Sequence, residues 1–191
     1  MKNYNSKLKI IIVFSIIFFG VLFFAKSSLA ANHYVRQGAT GSGSDWSNAY
    51  GSLPATLTRG DTYYIADGNY ASYIFDDAVS GTTVITIKKA MSTGYGTGDH
   101  GTETGWSSSY GDGQAVFAEN ITFYKGYYVI DGNGTHTIPS KNSSDYGFKI
   151  VNTQDANYGV ITFGEWQETA SNIIIKYVHA YNTYGSKIKD R

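Results

Sequence analysis

The 191-residue chain carries 15 basic and 15 acidic residues, but four of the lysines precede Ala31 and no acidic residue does. The part of the chain after Ala30 is therefore net acidic by four charges and has no basic cluster, which argues against nucleic-acid binding, since that depends mainly on phosphate neutralisation. The absence of cysteine excludes disulfides, thiolate nucleophiles and Cys-based metal sites, and in an exported protein it favours bacterial secretion. Abundant Tyr, Thr, Ile, Val and Gly predict an all-β protein.

Residues 1–30 have the pattern of an export signal. Lysines at positions 2, 7 and 9 precede an apolar run over 10–25, and small residues at 28 and 30 precede Ala31. We expect cleavage between Ala30 and Ala31, and hence a secreted or cell-surface protein. The alternative is an uncleaved anchor, which would be the protein's one membrane contact, although the run is shorter than the ~20 residues that span a bilayer.

The segment after the first predicted strand suggests a cap for a β stack. A short helix is predicted to begin near Asn48, with Asp45 or Ser47 as its N-cap. Leu53 and Leu57 lie four positions apart, so on a helical turn they share one apolar face. Such a face could cover the open end of a β stack, which would otherwise invite aggregation.

Short strand-like segments recur between Gly, Asn, Asp and Ser turns along the rest of the chain. Ile130 and Ile150 lie 20 positions apart, and Ile150 and Ile174 lie 24 apart, a period typical of stacked repeats. We therefore predict one domain over 31–191, with a cap over about 33–60 and coils over about 61–182. The segments that support this prediction are Gly81–Lys89, Gly126–Asn133, Tyr146–Asn152 and Ser171–Asn182, the last including a strand over Ile173–Val178.

The opening of this domain, YVRQGATGSGSDWSNAYGSLPATLTRGDTYYIADGNY, is followed by GTTVITIKKA and YYVIDGN. It resembles the N-terminal coils of secreted right-handed parallel β-helix proteins of the pectin-lyase-like superfamily, over about residues 33–182. The resemblance implies a right-handed parallel β-helix and action on acidic polysaccharides by β-elimination or hydrolysis. Its markers are Trp46, Ala49, Gly60, Asp61, Thr62, Gly68 and Tyr70.

The chain departs from that family at its end, where Lys187–Arg191 comes after the last coil without a closing amphipathic element. Terminal repeats normally need a cap. We therefore expect the sequence to be a C-terminally truncated, N-terminal portion of a longer protein.

A lyase needs a base for the proton next to a uronate carboxyl group and a positive group to stabilise the carbanion. By residue type the candidates are Lys88, Lys149, Lys176 and His179, of which we keep Lys88, Lys176 and His179 as catalytic candidates. No partner spacing supports them, so exposed surface residues remain the simpler interpretation. A hydrolase needs two facing carboxylates, and Asp76 and Asp77 are a poor pair because adjacent strand residues point to opposite sides.

Metal binding has weak support from the residues. Oxygen ligands in the turns after Asp67 and Asp131 suit Ca²⁺, which the family resemblance admits as a cofactor, but turn chemistry explains both carboxylates. The histidines at 33, 100, 136 and 179 show no paired ligand spacing, so no metal site is assigned.

Three aromatic residues in loop sequence are candidates for stacking on sugar rings: Trp106, Tyr110 and Trp166. The simpler interpretation of each is core packing or loop anchoring. Trp106 and Tyr110 belong to a Gly-rich insertion over 90–113, and long loops on a rigid scaffold are often functional.

The sequence thus predicts an extracellular carbohydrate-active β-helix protein, a polysaccharide lyase or glycoside hydrolase whose partner is an acidic polysaccharide or cell-surface glycan. The alternatives are a non-catalytic adhesion solenoid that binds glycans and a purely structural stalk. The resemblance implies that the chemistry lies on the outer face of one sheet, on coils nearer the middle of the stack. A further alternative is therefore that the catalytic coils are missing from this chain.

Overall fold

The computed structural model describes residues 29–95, 97–133, 146–153, 159–164 and 170–183. These ranges contain twelve short strands, one 3₁₀ turn at Ser108–Tyr110 and no α-helix. Within them, no helix is long and apolar enough to cross a membrane. Most of the predicted export signal, residues 1–28, and the C-terminal segment 184–191, on which the predicted truncation depends, lie outside the described residues.

The strands form three sheets in which every pairing is parallel. The first sheet has the order β1-β2-β5-β8-β11, the second β3-β6-β9-β12 and the third β4-β7-β10. After β1, the chain enters the first, second and third sheets in a fixed cycle, an order consistent with a parallel β-helix. The strands are β1 Asn32–Val35, β2 Thr62–Ile65, β3 Gly68–Tyr70, β4 Tyr73–Phe75, β5 Ile85–Lys89, β6 Ala115–Ala118, β7 Ile121–Phe123, β8 Tyr128–Asp131, β9 Phe148–Asn152, β10 Ile161–Phe163, β11 Ile173–Lys176 and β12 Val178–Asn182.

Alternation along each strand builds the core between the three sheets. In β5, Ile85 and Ile87 are buried whereas Thr86 between them is half-exposed, as the period of two predicts. The in-register pairing places residues of the same type on top of one another in successive strands. The rings of Phe75 and Phe123 lie with centroids 4.6 Å apart, and those of Phe123 and Phe163 lie 5.6 Å apart. Each stacked pair adds about 0.5–1.5 kcal/mol beyond its buried area.

The even spacing read from the sequence does not mark successive coils. Ile130 pairs with Ile87 and Ile175 in the first sheet, whereas Ile150 pairs with Phe117 and Ala180 in the second. The step between equivalent positions is therefore 24 residues from Tyr63 to Ile87, 43 from Ile87 to Ile130 and 45 from Ile130 to Ile175. The prediction of an even 20–24-residue spacing is therefore wrong for the later coils, because insertions between strands lengthen them.

The predicted capping helix near Asn48 is also wrong. An α-helix would use the carbonyls of its first residues internally, but here the Asn48 carbonyl accepts from Gly43, at 2.7 Å, and the Tyr50 carbonyl from Arg36, at 2.8 Å. Asp45 does accept a hydrogen bond from the Asn48 amide, at 2.9 Å, as an N-cap would, yet the turn does not continue.

Leu53 and Leu57 are nevertheless buried, as their predicted apolar face required. Both side chains are buried and belong to the main hydrophobic core. A non-helical segment therefore contributes the two leucines to the core. Their burial needed only a four-residue separation and a nearby apolar stack, not a regular helix.

A lysine points into the interior where β5 ends. Lys89 follows Ile85 and Ile87 in the inward alternation and is fully buried, with its Nζ 2.5 Å from Asp67 Oδ1 and 2.5 Å from the Ala90 carbonyl. Burial lowers the pKa of Lys89 and raises that of Asp67, while the ion pair opposes both shifts. A buried pair of this kind is costly to break because the remaining charge stays desolvated.

Replacing Lys89 with methionine should lower the free energy of unfolding by about 3–5 kcal/mol, since it leaves the Asp67 carboxylate without its cation. Lys88→Met, one position earlier on the outer face, should cost no more than about 1 kcal/mol because that ion pair is partly exposed. Denaturant unfolding of both variants measures the difference. Equal losses would contradict the burial of Lys89, and adding Asp67→Asn to Lys89→Met should restore part of the stability.

Candidate functional site

One row of outward-facing side chains crosses the first sheet from strand to strand. In-register pairing aligns Tyr34 of β1 with Tyr64 of β2, then Lys88 of β5, Asp131 of β8 and Lys176 of β11. Neighbouring strands lie about 4.8 Å apart, so residues in the row are close enough to interact. We call Lys88, Asp131 and Lys176 the charged row; it contains two of the three catalytic candidates proposed from the sequence.

Each lysine of the charged row has a carboxylate partner. Lys176 Nζ lies 2.9 Å from Asp131 Oδ2, and Lys88 Nζ bonds to Asp99 Oδ2 from the insertion over 90–113. The Lys176 side chain is 48% exposed and that of Lys88 23% exposed. The row is thus open to solvent at its Lys176 end and more enclosed at its Lys88 end.

The insertion folds back over the first sheet and fixes Asp99 above the row. The Met91 amide donates to the Asp99 carbonyl at 2.9 Å, and the Asn133 side-chain amide donates to the same carbonyl at 3.1 Å. The Gly101 amide donates to Asp99 Oδ1 at 3.1 Å. These bonds hold the carboxylate over Lys88 and Tyr64, whose hydroxyl lies 3.4 Å from Asp99 Oδ2.

The turn after Asp131 holds the middle of the row. Asn133 adopts a left-handed backbone conformation with φ of 54°, and its amide donates to Asp131 Oδ1 at 2.9 Å. The Gly132 amide donates to the Lys176 carbonyl at 2.9 Å, and a Cβ at position 132 would lie 1.9 Å from the Tyr177 carbonyl oxygen. Glycine is therefore required sterically between the two charged strand ends.

The local charges hold the site in a defined protonation state. Burial alone would raise the pKa of Asp99, but hydrogen bonds from Lys88 and the Gly101 amide outweigh it and keep that pKa below its usual value. Burial and the adjacent Asp99 charge raise the pKa of Tyr64 to about 12. At neutral pH Asp99 is therefore an anion and Tyr64 a neutral hydrogen-bond donor.

The resulting surface offers alternating ammonium and carboxylate groups with little net charge. Such a surface can donate to and accept from hydroxyl groups, and each ammonium can receive a ligand carboxylate. The sequence patterns did not point to two residues of this candidate site, Asp99 and Tyr64, and they indicated Asp131 only as a turn residue. Tyr63 and Ile130 point into the core, so strand alternation predicts that the next residues, Tyr64 and Asp131, point outward. No local sequence signal predicts that Asp99 lies over Lys88.

Calcium does not fit the two Asp-Gly-Asn turns. Asp131 uses one oxygen for Lys176 and the other for the Asn133 amide, while Asp67 pairs with Lys89 and accepts from the Gly113 amide at 2.6 Å. Among the described residues, no group of three or more His, Cys, Asp or Glu side chains could hold a metal ion. Both carboxylates are satisfied by cations and amides of the chain itself.

The third catalytic candidate lies apart from the charged row. His179 belongs to β12 in the second sheet, where it pairs in register with Lys149 and stacks on Tyr181 with ring centroids 4.8 Å apart. Tyr177, with a left-handed φ of 55°, turns the chain between β11 and β12. The structure therefore brings Lys88 and Lys176 together on one face and places His179 on another sheet.

The proposed sugar-stacking residues Trp106 and Tyr110 have aromatic partners within the protein. His100 stacks on Trp106 with centroids 4.2 Å apart and planes 7° apart, and Tyr110 meets Trp106 edge-on. Both pack, partly buried, against the fully buried Trp46, whose indole N–H donates to the His100 carbonyl at 3.0 Å. They anchor the insertion to the first sheet; a role in ligand stacking stays a prediction. Trp166 lies outside the described residues.

Comparisons with protein-family models, with curated proteins and with solved structures found no match for this chain. The basis for a functional proposal is therefore the geometry of the charged row and the sequence patterns. The pectin-lyase-like resemblance remains a prediction from those patterns.

Replacing Asp99 with asparagine should remove a pH-dependent part of the stability. The pKa of Asp99 is depressed in the folded state, so its contribution is present above the usual Asp pKa of about 3.9 and is lost as pH falls through the lower folded value. Wild-type protein should therefore lose more stability between about pH 5 and pH 2 than Asp99→Asn does. At neutral pH the variant should lose at most about 1 kcal/mol, because the pair is partly exposed.

Denaturant unfolding across that pH range measures the difference between the two proteins. Asp76→Asn, which removes an exposed carboxylate elsewhere, is the matched control and should keep the wild-type pH profile. Identical profiles for Asp99→Asn and wild type would contradict the ion pair with Lys88.

Proposed function

We propose that this chain is an exported, right-handed parallel β-helix of the pectin-lyase-like kind that binds an acidic polysaccharide on the outer face of its first sheet. The cyclic order of three parallel sheets supports the fold, and parallel crossovers are right-handed in nearly all proteins. The secretory pattern of residues 1–30 supports an extracellular or cell-surface location. The charged row is the observation that carries the ligand assignment.

A linear ligand laid along the row would meet Lys88, Asp131 and Lys176 in turn. The two ammonium groups are separated by one strand, so they can receive carboxylates from one polymer chain. Asp131 between them accepts hydrogen bonds from sugar hydroxyls. A polymer of uronate residues supplies both kinds of group, which is why it fits better than a neutral glycan.

The existing ion pairs do not prevent this binding. The Asp131 carboxylate is only 13% exposed and would be costly to leave without a cation. The half-exposed Lys176 ammonium has three donors, so it can receive a ligand carboxylate while it keeps its bond to Asp131. The Lys176 side chain is the more exposed of the two lysines, and it is therefore the first contact for the polymer. Lys88, held by Asp99, forms the more rigid second contact.

The reaction class that this arrangement supports best is β-elimination. Lys176 would hold the uronate carboxylate and stabilise the carbanion, and the Asp131 carboxylate would take the proton next to that carboxyl group. The bond from the β-carbon to the leaving sugar oxygen breaks as the carbon–carbon double bond forms, and that oxygen takes up a proton from Asp131 or from water. Hydrolysis has less support, because it requires a carboxylic acid with a raised pKa, whereas the pKa of Asp99 is lowered.

A non-catalytic glycan-binding protein is the second candidate. Both lysines are paired, and Asp131 already accepts bonds from Lys176 and the Asn133 amide. No base in the charged row is therefore unengaged before a ligand arrives. This observation favours binding without turnover. An experiment must therefore measure ligand binding and turnover separately.

The exported protein should be incubated with a panel of uronate polysaccharides while ultraviolet absorbance follows new unsaturated chain ends. We expect Asp131→Asn to lower kcat by about 10²–10⁴-fold, as removal of a general base does, while retaining ligand binding. Lys176→Ala should weaken binding about tenfold or more, since it removes a charge-assisted bond. Lys149→Ala, on the second sheet, is the control and should behave as wild type.

The outcomes separate the candidates. Absorbance that depends on Asp131 supports the lyase. Binding that depends on Lys176, without absorbance, supports the glycan-binding protein. Folded protein that neither binds nor cleaves any uronate polymer overturns the proposal and leaves the structural stalk.

A further inference from the structure

A nearly buried carboxylate lies beside the backbone at the start of β1. Asp61 is 4% exposed, and its two oxygens have different partners. Oδ1 accepts from the backbone nitrogen of Ala31 at 2.9 Å, and Oδ2 lies 2.8 Å from His33 Nε2. A carboxylate this deeply buried is stable only when a cation or several donors compensate it.

The backbone fixes both partners of the contact. The Asp61 amide donates to the Thr58 carbonyl at 3.2 Å, and the Asp61 carbonyl accepts from Thr86 at 3.0 Å. On the other side, the Thr62 amide donates to the Ala31 carbonyl at 2.9 Å, which extends the β1–β2 ladder by one residue. The nitrogen of Ala31 is therefore aimed at Asp61 by the sheet itself.

The same nitrogen belongs to the bond at which the export signal is predicted to be cut. Ala30 and Ala31 are exposed, and Leu29 is 88% exposed. The side chains at 28 and 30 are small, as a signal peptidase requires. The predicted cleavage site and the carboxylate contact thus meet at one atom.

We propose that Asp61 is the receptor for the processed N-terminus: cleavage after Ala30 turns the Ala31 nitrogen into an α-ammonium group that pairs with the Asp61 carboxylate. The peptidase adds water across the Ala30–Ala31 bond, Ala30 leaves with a new carboxylate, and the released amine takes up a proton. This inference rests on the predicted export signal and is independent of the polysaccharide proposal.

Cleavage changes the electrostatics of the contact without moving its atoms. Before cleavage, a neutral amide donates to the carboxylate; afterwards, a cation does, and charge-assisted bonds are roughly twice as strong. Among the described residues, the other titratable groups near Asp61 are His33, Tyr63 and Tyr50. His33 stacks on Tyr63 with ring centroids 4.7 Å apart and lies 6.2 Å from the Tyr50 ring. Burial raises the pKa of Tyr63, and the Asp61 charge adds to that rise. The processed terminus would therefore secure the first strand of the stack.

The test uses the full chain exported from a bacterial host. Intact mass of the exported protein should show a chain that begins at Ala31. The α-amino pKa, measured by NMR titration, should lie at least about one unit above the usual 7.7–8.0. In Asp61→Asn it should return to the usual range, whereas His33→Gln should leave it raised.

A second variant keeps the test decisive if Asp61→Asn does not fold. One alanine inserted between Ala31 and Asn32 leaves the cleavage site intact and moves the amine one residue away from Asp61. Its α-amino pKa should be ordinary, and its thermal midpoint should fall below that of wild type. An N-terminus other than Ala31, or an ordinary α-amino pKa in the wild-type protein, overturns the proposal.

Discussion

In-register parallel pairing is the constraint on which the rest of this structure depends. Residues alternate between inward and outward along each strand, and equivalent positions of neighbouring strands lie about 4.8 Å apart. Successive strands therefore line up their residues in inward-facing and outward-facing rows. An inward row stacks the buried rings of Phe75 and Phe123, and the exposed ring of Phe163 stacks on Phe123. An outward row aligns Lys88, Asp131 and Lys176. The core and the candidate site are therefore consequences of the same register.

Two adjacent lysines of β5, Lys88 and Lys89, show that strand alternation determines whether a side chain faces solvent or the core. Lys88 and Lys89 are adjacent in β5, yet Lys88 points outward to a partly exposed carboxylate and Lys89 points inward to Asp67. The outer pair can exchange partners with a ligand at small cost. The inner pair cannot, because separating its charges leaves one of them buried. Only the outer lysine is suited to binding.

The insertion over 90–113 contributes to the site by returning to the sheet from which it departs. Aromatic contacts of Trp106 and Tyr110 with Trp46 anchor it, and hydrogen bonds place Asp99 above Lys88. The sequence indicated a long loop with aromatic residues, and anchoring is the role the structure describes for them. The pairing of Asp99 with Lys88 arises from contacts between residues 11 positions apart that no short pattern encodes.

The amino-acid sequence by itself determined the local features: the all-β class, the inward alternation of Ile85 and Ile87, the burial of Leu53 and Leu57, and the Asp-Gly-Asn turns. These depend on side-chain preference and period, which act within a few residues. Only the tertiary structure decided which strands share a sheet, that no helix forms near Asn48, and that Lys88 and Lys176 flank Asp131. Register between strands 43 and 45 residues apart depends on long-range packing, and unequal insertions hide it from any count along the chain.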